Sequence, residues 1–344
     1  MRIDLDIKLD FSDVLLLPKR SELSSRSEVD VEREMRFKYS PYIWKGVPII
    51  VSNMDTTGTI EMALKLQEYK IITCLHKYYT ADDIPDNLNP DYFMISTGIT
   101  DADLERLYNI ITKKKINFIC VDVANGYSKK FHDIVKLIRT KYPDKVIAAG
   151  NVVTKELVEE LIINCGVDIV KVGIGSGSVC TTRLQTGVGC PQFSAVLECA
   201  DAAHGVNGHI ISDGGIQNVG DFSKAFGGGA DFIMCGSMFA GHTESGGDLI
   251  EEGEKKYKVL YGMSSSNAMN KYHGGVAQYR SAEGKCVKLP YKGDVSGTIL
   301  NILGGIRSTM TYIGAHKIKD IPKCSSFIRV NNIVNKIYSN DMNN

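Results

Sequence analysis

Residues 145–173 read KVIAAGNVVTKELVEELIINCGVDIVKVG. Two short apolar, β-branched runs, Lys145–Ala149 and Asp168–Gly173, flank an amphipathic segment, Thr154–Cys165. Thr154 stands where a helix N-cap belongs, Glu156, Glu159 and Glu160 follow in the early turns, and Gly166 ends the segment. Strand, helix, strand in that order makes a parallel pair with a crossover. Parallel strands are buried on both faces, which is why these runs are continuously apolar rather than alternating.

The same unit recurs on either side. Further candidate strands are Val47–Ser52, Ile71–Leu75, Tyr92–Ser96, Asn117–Asp122, His209–Asp213 and Asp231–Cys235, with amphipathic segments at Thr59–Tyr69, Asp101–Ile111 and Ser128–Tyr142. Eight strands close a (β/α)8 barrel. An open doubly wound sheet is the alternative, but G-x-G-x-x-G is missing from the early strands. The chain therefore reads as a single-domain α/β (β/α)8 TIM barrel. The barrel occupies about 47–240, behind an N-terminal arm, with a flap at about 243–290 inserted after strand eight. A closing C-terminal segment and a polar, asparagine-rich tail at 331–344 complete it, the tail expected to be disordered or loosely docked.

Composition narrows the function. Forty Lys and Arg balance forty Asp and Glu, so the basic excess of a nucleic-acid binder is missing. Lys113-Lys114-Lys115, the richest basic cluster, reads as a helix end. No apolar run reaches the ~18 residues that span a bilayer. The charged start, Met1-Arg2-Ile3-Asp4-Leu5-Asp6, does not resemble a signal peptide, so a soluble, cytoplasmic protein is expected. Nine scattered cysteines with no C-x-x-C pair suggest neither a disulfide framework nor a zinc ribbon. Cys74, Cys120 and Cys235 read as small buried hydrophobes. His204 and His209 are five residues apart and do not share a helical face.

Barrel active sites are built at the C-terminal ends of the strands. Those positions are Asn53-Met54-Asp55, His76-Lys77, Thr97-Gly98, Asp122 with Ala124-Asn125-Gly126, Gly150-Asn151, the loop 173–189, Asp213-Gly214-Gly215 and Gly236-Ser237. Polar and glycine residues collect at one rim, as in an enzyme. In the loop Gly173-Ile174-Gly175-Ser176-Gly177-Ser178-Val179-Cys180-Thr181-Thr182-Arg183, the glycines permit a tight backbone that presents amides or carbonyls to a small ion. Cys180 differs from the buried cysteines by lying in a polar loop, where an amide-rich surrounding can lower a thiol pKa and make it nucleophilic. A small packing residue is the plainer reading. The glycines at 214, 215 and 236 could hold phosphate or simply make turns; Asp213 could bond a ribose hydroxyl or cap the next helix. The polar, glycine-rich 243–290 segment, long enough to cover the barrel mouth as a lid, carries Tyr279-Arg280 and Glu283-Gly284-Lys285.

Gly175–Gln192, GSGSVCTTRLQTGVGCPQ, resembles the active-site loop of the IMP dehydrogenase and GMP reductase family. So do Ile211-Ser212-Asp213-Gly214-Gly215, Tyr261-Gly262-Met263-Ser264-Ser265 and Gly304-Gly305-Ile306-Arg307-Ser308, within a resemblance running from Asp10 to Val330. The Cys-Thr-Thr-Arg form of the loop looks like the reductase branch. Dehydrogenases usually insert a paired CBS module into the barrel, yet only sixteen residues separate Leu75 from Tyr92. Their flap also bears a water-activating Arg-Tyr dyad, which Tyr279-Arg280 does not reproduce. The segment 215–220, GIQNVG, is closer to some dehydrogenases. The competing readings are a dehydrogenase without its CBS module and a silent nucleotide-binding barrel.

The resemblance implies reductive deamination of GMP to IMP with NADPH, releasing ammonia. It implies Cys180 as the nucleophile that forms a thioimidate, with Thr182 and Glu283 protonating the departing amine. Asp213, Gly214, Gly215, Gly236 and Ser237 would hold ribose and phosphate, with Gly262, Met263, Ser264, Arg280 and Gly284 on the rest of the nucleotide. Lys77, Asp122, Val123, Ala124 and Tyr279 would approach the cofactor. Ser25, Arg26, Ser308, Thr309, Met310 and Thr311 would reach it from a neighbouring subunit of a homotetramer, Arg26 toward the 2′-phosphate. Carbonyls of Gly175, Gly177 and Cys180, with Arg183 nearby, resemble a site for a monovalent cation such as K+.

Overall fold

The computed structural model describes residues 3–278 and 281–331. Its centre is a closed parallel barrel of β1 (Ile49–Val51), β2 (Ile72–Leu75), β3 (Phe93–Thr97), β4 (Phe118–Asp122), β5 (Val146–Val152), β6 (Ile169–Val172), β7 (His209–Asp213) and β8 (Phe232–Cys235). β8 returns to β1, Ile233 opposite Ile49 and Cys235 opposite Val51. The eight expected strands are these, with ends shifted by no more than three residues and His209–Asp213 unchanged.

Alternation makes the two layers of core. In β1, Ile49 and Val51 join the outer core beneath the helices, while Ile50 points into the barrel. Cys74 and Cys120 are barrel-interior residues and Cys235 an outer one, all buried. The outer layer is α1 (Ile60–Leu66), α2 (Asp101–Lys113), α3 (Lys129–Lys141), α4 (Lys155–Cys165), α5 (Thr182–Thr186, a short turn in the β6 loop), α6 (Gln192–Gly205) and α7 (Val219–Gly227). Among the described residues no helix connects β2 to β3, only turns. Lys113 and Lys114 do end α2, paired with Asp82 and Asp86.

One local expectation fails. Thr154 occupies the N-cap of α4, but its side chain makes no cap bond; its hydroxyl instead accepts from the Tyr127 hydroxyl at 3.2 Å. Gly166 closes α4 at φ +74°, a left-handed conformation that glycine adopts without a Cβ clash.

The N-terminal arm plugs the barrel floor. A hairpin of Arg33–Arg36 and Ile43–Gly46 carries Met35, Phe37 and Trp44 into the interior core, where Trp44 is fully buried and donates to the Asp91 carbonyl at 2.8 Å. His204 and His209, on different elements, converge on Asp231 at 2.9 and 3.3 Å, and Arg33 joins them at 2.8 Å. Val14–Leu16 pairs with Phe327–Arg329, tying the two ends of the described chain together. Beyond β8, three antiparallel strands, β9 (Leu249–Glu252), β10 (Lys255–Tyr261) and β11 (Cys286–Pro290), with α8 (Ser266–His273), form the flap. α9 (Ser296–Ile313) and α10 (Ile321–Cys324) follow. Among the described residues no helix is long and apolar enough to cross a membrane. Of the expected tail, 332–344 lies outside the described residues.

Candidate active site

A cavity of about 780 Å³ opens where the C-terminal ends of the strands meet. β4 delivers Asp122, with Val123 and Ala124 just beyond it; β5 delivers Asn151, β6 Lys171 and β7 Asp213. The register between β5 and β6 shifts between Gly150 and Val152, and Asn151 at that irregularity lines the cavity. Gly214 and Gly215 follow β7 at φ +83° and +81°. A Cβ on Gly214 would lie 2.7 Å from the Ser176 hydroxyl, so only glycine lets the β7 turn pass this close to the β6 loop. Asp213 caps no helix: Asn218 and Asp221 make the capping box of α7. Gly236 and Ser237 start a hydrogen-bonded turn after β8, where Phe239 and Ala240 both donate to the Gly236 carbonyl.

Three side chains of the cavity form a hydrogen-bonded chain. Cys180 is partly exposed, and its thiol donates to Thr182 Oγ1 at 3.2 Å. Thr182 in turn donates to Glu283 Oε2 at 2.7 Å. Cys180 and Thr182 come from the β6 loop, whereas Glu283 comes from the flap, 101 residues beyond Thr182. Backbone pairing fixes the two segments together. Thr181 N–H donates to the Glu283 carbonyl at 2.9 Å, Lys285 N–H to the Val179 carbonyl at 2.9 Å, and Cys180 bridges Gly284. A thiol, a hydroxyl and a carboxylate in series can pass a proton in either direction.

Electrostatics at the floor centre on Lys171, which is 2% exposed and reaches Asp122 at 2.6 Å and Asp213 at 3.3 Å. Burial alone would raise the Asp122 carboxyl; the Lys171 ammonium overrides it and holds the group below the usual carboxylate range. Burial likewise works to lower Lys171, and the two carboxylates more than reverse it.

The flap is anchored at its root by Asp55, in the loop after β1. Its buried Oδ2 accepts from the Tyr261 hydroxyl at 2.6 Å, the Tyr272 hydroxyl at 2.7 Å and Lys271 at 3.0 Å. The Tyr272 phenol is pushed up to about 12, by burial first and then by the Asp55 carboxylate.

The sequence that builds this site is similar to those of known proteins. Residues 92–336 match the family model described as IMP dehydrogenase / GMP reductase domain, well over half of the chain. The chain belongs to the IMP dehydrogenase / GMP reductase family. Within this family, a Homo sapiens protein named GMP reductase 2 is 57% identical over 345 residues, covering 98% of this chain and 98% of its own. A Caenorhabditis elegans GMP reductase is 56% identical, covering 98% and 96%, and one from Salmonella paratyphi C is 55% identical, covering 98% and 99%.

The cavity gathers most residues singled out by the family resemblance: Cys180, Thr182, Glu283, Asp213, Gly214, Gly215, Gly236, Ser237, Gly262, Met263, Ser264, Asp122, Val123, Ala124, Gly175 and Gly177. Gly284 sits just behind, paired with Cys180 and Ser265. Lys77 lies outside the lining, its ammonium 3.5 Å from Asp103. Ser25 and Arg26 are on the arm, which packs there against α9, the helix of Ser308, Thr309, Met310 and Thr311. Neither group lines this chain's own cavity, and the Met310 side chain is fully buried in the core. Arg183 cannot ligate a cation through its side chain, since a guanidinium has no lone pair to give. It braces the loop instead, bound to Asp10 at 3.1 Å and the Cys190 carbonyl at 2.5 Å. Tyr279 and Arg280 lie outside the described residues. Lys171 escaped the sequence reading because it sits inside an apolar strand; a lone cation among β-branched residues was the available signal.

Proposed function

We propose that this chain catalyses the NADPH-dependent reductive deamination of GMP to IMP and ammonia, interconverting purine nucleotides. The observation that carries this reading is the Cys180–Thr182–Glu283 series inside the cavity, with bonds of 3.2 and 2.7 Å. Purine C2 of GMP is a weak electrophile, so exchanging its amine for hydrogen is easier in two steps through a covalent intermediate. As the Cys180 sulfur bonds to C2, its proton moves to Thr182 and that of Thr182 to Glu283. Returned along the same path, a proton reaches the departing nitrogen, the C2–N bond breaks and ammonia leaves a thioimidate on Cys180. NADPH, when bound, supplies the hydride. With C2 reduced, the C2–S bond breaks, IMP leaves and the Cys180 thiolate takes a proton from solvent.

Asp213 with the glycines after β7 and β8 fits ribose and phosphate, because it faces the cavity as an acceptor beside an open backbone. Asp122, Val123 and Ala124 line the same cavity and would hold the nicotinamide end; the family resemblance adds Lys77 and Tyr279 as further contacts of the cofactor. Ser25 and Arg26 lie where the arm packs against α9, the helix of Ser308–Thr311, away from this chain's own cavity, which suits a contribution to a neighbour's site in a homotetramer. Met310 would take part only through its backbone. A monovalent cation such as K+ would be held by the carbonyls of Gly175, Gly177 and Cys180, stiffening the loop that presents the thiol.

The test is a paired assay of reduced nicotinamide absorbance. NADPH consumption with stoichiometric ammonia from GMP is expected. NADH formation from IMP and NAD+, with the GMP reaction inert, would overturn the proposal in favour of a dehydrogenase.

A further inference from the structure

Lys171 belongs to a continuous row of polar contacts across the cavity floor. Asn53 donates to Asp122 Oδ2 at 2.9 Å, and Lys171 reaches Asp122 Oδ1 at 2.6 Å and Asp213 Oδ2 at 3.3 Å. Asn151 then donates to Asp213 Oδ2 at 2.8 Å and to the Gly173 carbonyl at 2.7 Å. The row runs from the end of β1 to the end of β7. On the reading above, Asp122 serves the cofactor and Asp213 the ribose of the nucleotide.

We infer that Lys171 is a positioning residue that joins the two halves of the site, placing its ammonium between the carboxylates of Asp122 and Asp213 and fixing their spacing so that each presents an acceptor to its ligand. This inference rests on the proposed function. Its physical basis is that two carboxylates converging on one point repel each other, and a cation between them removes that repulsion. An isolated ammonium this deeply buried would in turn shed its proton. The three groups are stable only as a set. Other groups facing the set are Lys77, acting on Asp122, the Cys120 thiol beside Lys171, and the Cys74 and Cys235 thiols. Burial pushes Cys74 well up and Cys235 to about 11, which leaves both thiols neutral near pH 7.

The experiment titrates GMP by calorimetry into the wild-type chain, Lys171→Met and Lys171→Met/Asp122→Asn, from about pH 6 to about pH 8.5, and measures the KM for NADPH. Without the ammonium, one carboxylate takes up a proton at the acid end of this window. GMP affinity of Lys171→Met relative to wild type at the same pH should then fall by ~10-fold or more near pH 6 and recover as pH rises. The double variant leaves Asp213 as a single carboxylate with no like charge beside it. It should bind GMP within ~3-fold of wild type at all these pH values while its KM for NADPH stays raised by ~10-fold or more. A Lys171→Met chain matching wild type in affinity and pH profile would overturn the inference. So would a double variant that binds GMP no better than Lys171→Met, or that fails to bind it where Lys171→Met does not fold. A wild-type chain that takes up no GMP overturns the functional reading itself, and this inference with it.

Discussion

Cys180, Thr182 and Glu283 divide the proposed chemistry between one nucleophile and a two-residue proton path, and each is separable by substitution. Cys180→Ala removes the sulfur that must bond to C2, so turnover should vanish while GMP still binds; calorimetry beside the absorbance assay checks both, and surviving turnover refutes covalent catalysis there. Thr182→Val keeps the shape of the side chain and cuts the path, since valine neither accepts from the thiol nor donates to Glu283 at 2.7 Å. General acid–base steps contribute ~10²–10⁴-fold, so kcat should drop by roughly 10²–10³ with the KM for GMP held within a few-fold. A rise in KM with kcat intact would make Thr182 a binding residue instead. Cys180 was legible because it is a thiol in a glycine-rich polar loop, unlike Cys74 or Cys120 in apolar runs. Lys171 was not, because its neighbours in β6 are hydrophobic and only barrel closure brings Asp122 and Asp213 to it. Thr154 misled for the converse reason: Tyr127, from the preceding loop, claims the hydroxyl that local sequence offers to the helix.

The flap is an element whose position decides whether Glu283 is in place at all. Its glycine-rich, polar composition marked it in the sequence, but nothing in the sequence showed where it fastens. It fastens at Asp55, whose buried oxygen gathers Tyr261, Tyr272 and Lys271, and at the Tyr78 ring, stacked on Tyr272 with centroids 3.5 Å apart. Asp55→Asn replaces a charged acceptor by a neutral amide and leaves the Lys271 ammonium without its counter-ion. Charge-assisted bonds are worth ~1.5–3 kcal/mol, which corresponds to roughly 10–100-fold in the closed population. The expected result is a fall of about that size in kcat/KM for GMP, together with faster protease cleavage within 249–290. Unchanged cleavage and kinetics would show that the pairing of Thr181 and Lys285 with the β6 loop holds the flap unaided.

At the scale of the whole molecule, the catalytic rim depends on a closed barrel, and closure depends on the opposite end. The hydrophobic runs made the barrel and its strand order readable, because each β-branched stretch is flanked by a helix that covers it. The floor was not readable. Arg33, His204, His209 and Asp231 are separated by up to 198 residues, and only the finished barrel brings them together. Asp231 precedes β8, His209 begins β7 and Arg33 belongs to the plugging hairpin, so this one carboxylate pins the seam and the plug at once. Burial opposes its ionisation, but His209, His204 and Arg33 together hold its pKa far below the usual range. A depressed carboxyl stabilises the fold fully above its unfolded pKa of ~3.9, and that stabilisation is lost progressively as pH falls from there toward the depressed folded value. His209 runs the other way: burial works to lower it, Asp231 raises it overall, and its contribution is complete below the unfolded value of ~6.5 and lost as pH rises through the raised one. The stabilisation that Asp231 and His209 supply, read as the melting temperature of the wild type minus that of Asp231→Asn, should therefore hold level between about pH 4.5 and about pH 6.5 and decline on both sides. Asp231→Asn leaves Arg33 and the histidines unpaired at a buried seam, a loss of ~3–5 kcal/mol, or roughly 4–7 °C at neutral pH. Its own melting temperature should also decline less than that of the wild type above about pH 6.5, since His209 no longer gains a charge partner on folding. Calorimetric melts across pH decide it. A variant melting within ~2 °C of wild type, with both slopes kept, would show that hydrophobic packing around Trp44 closes the floor without this cluster.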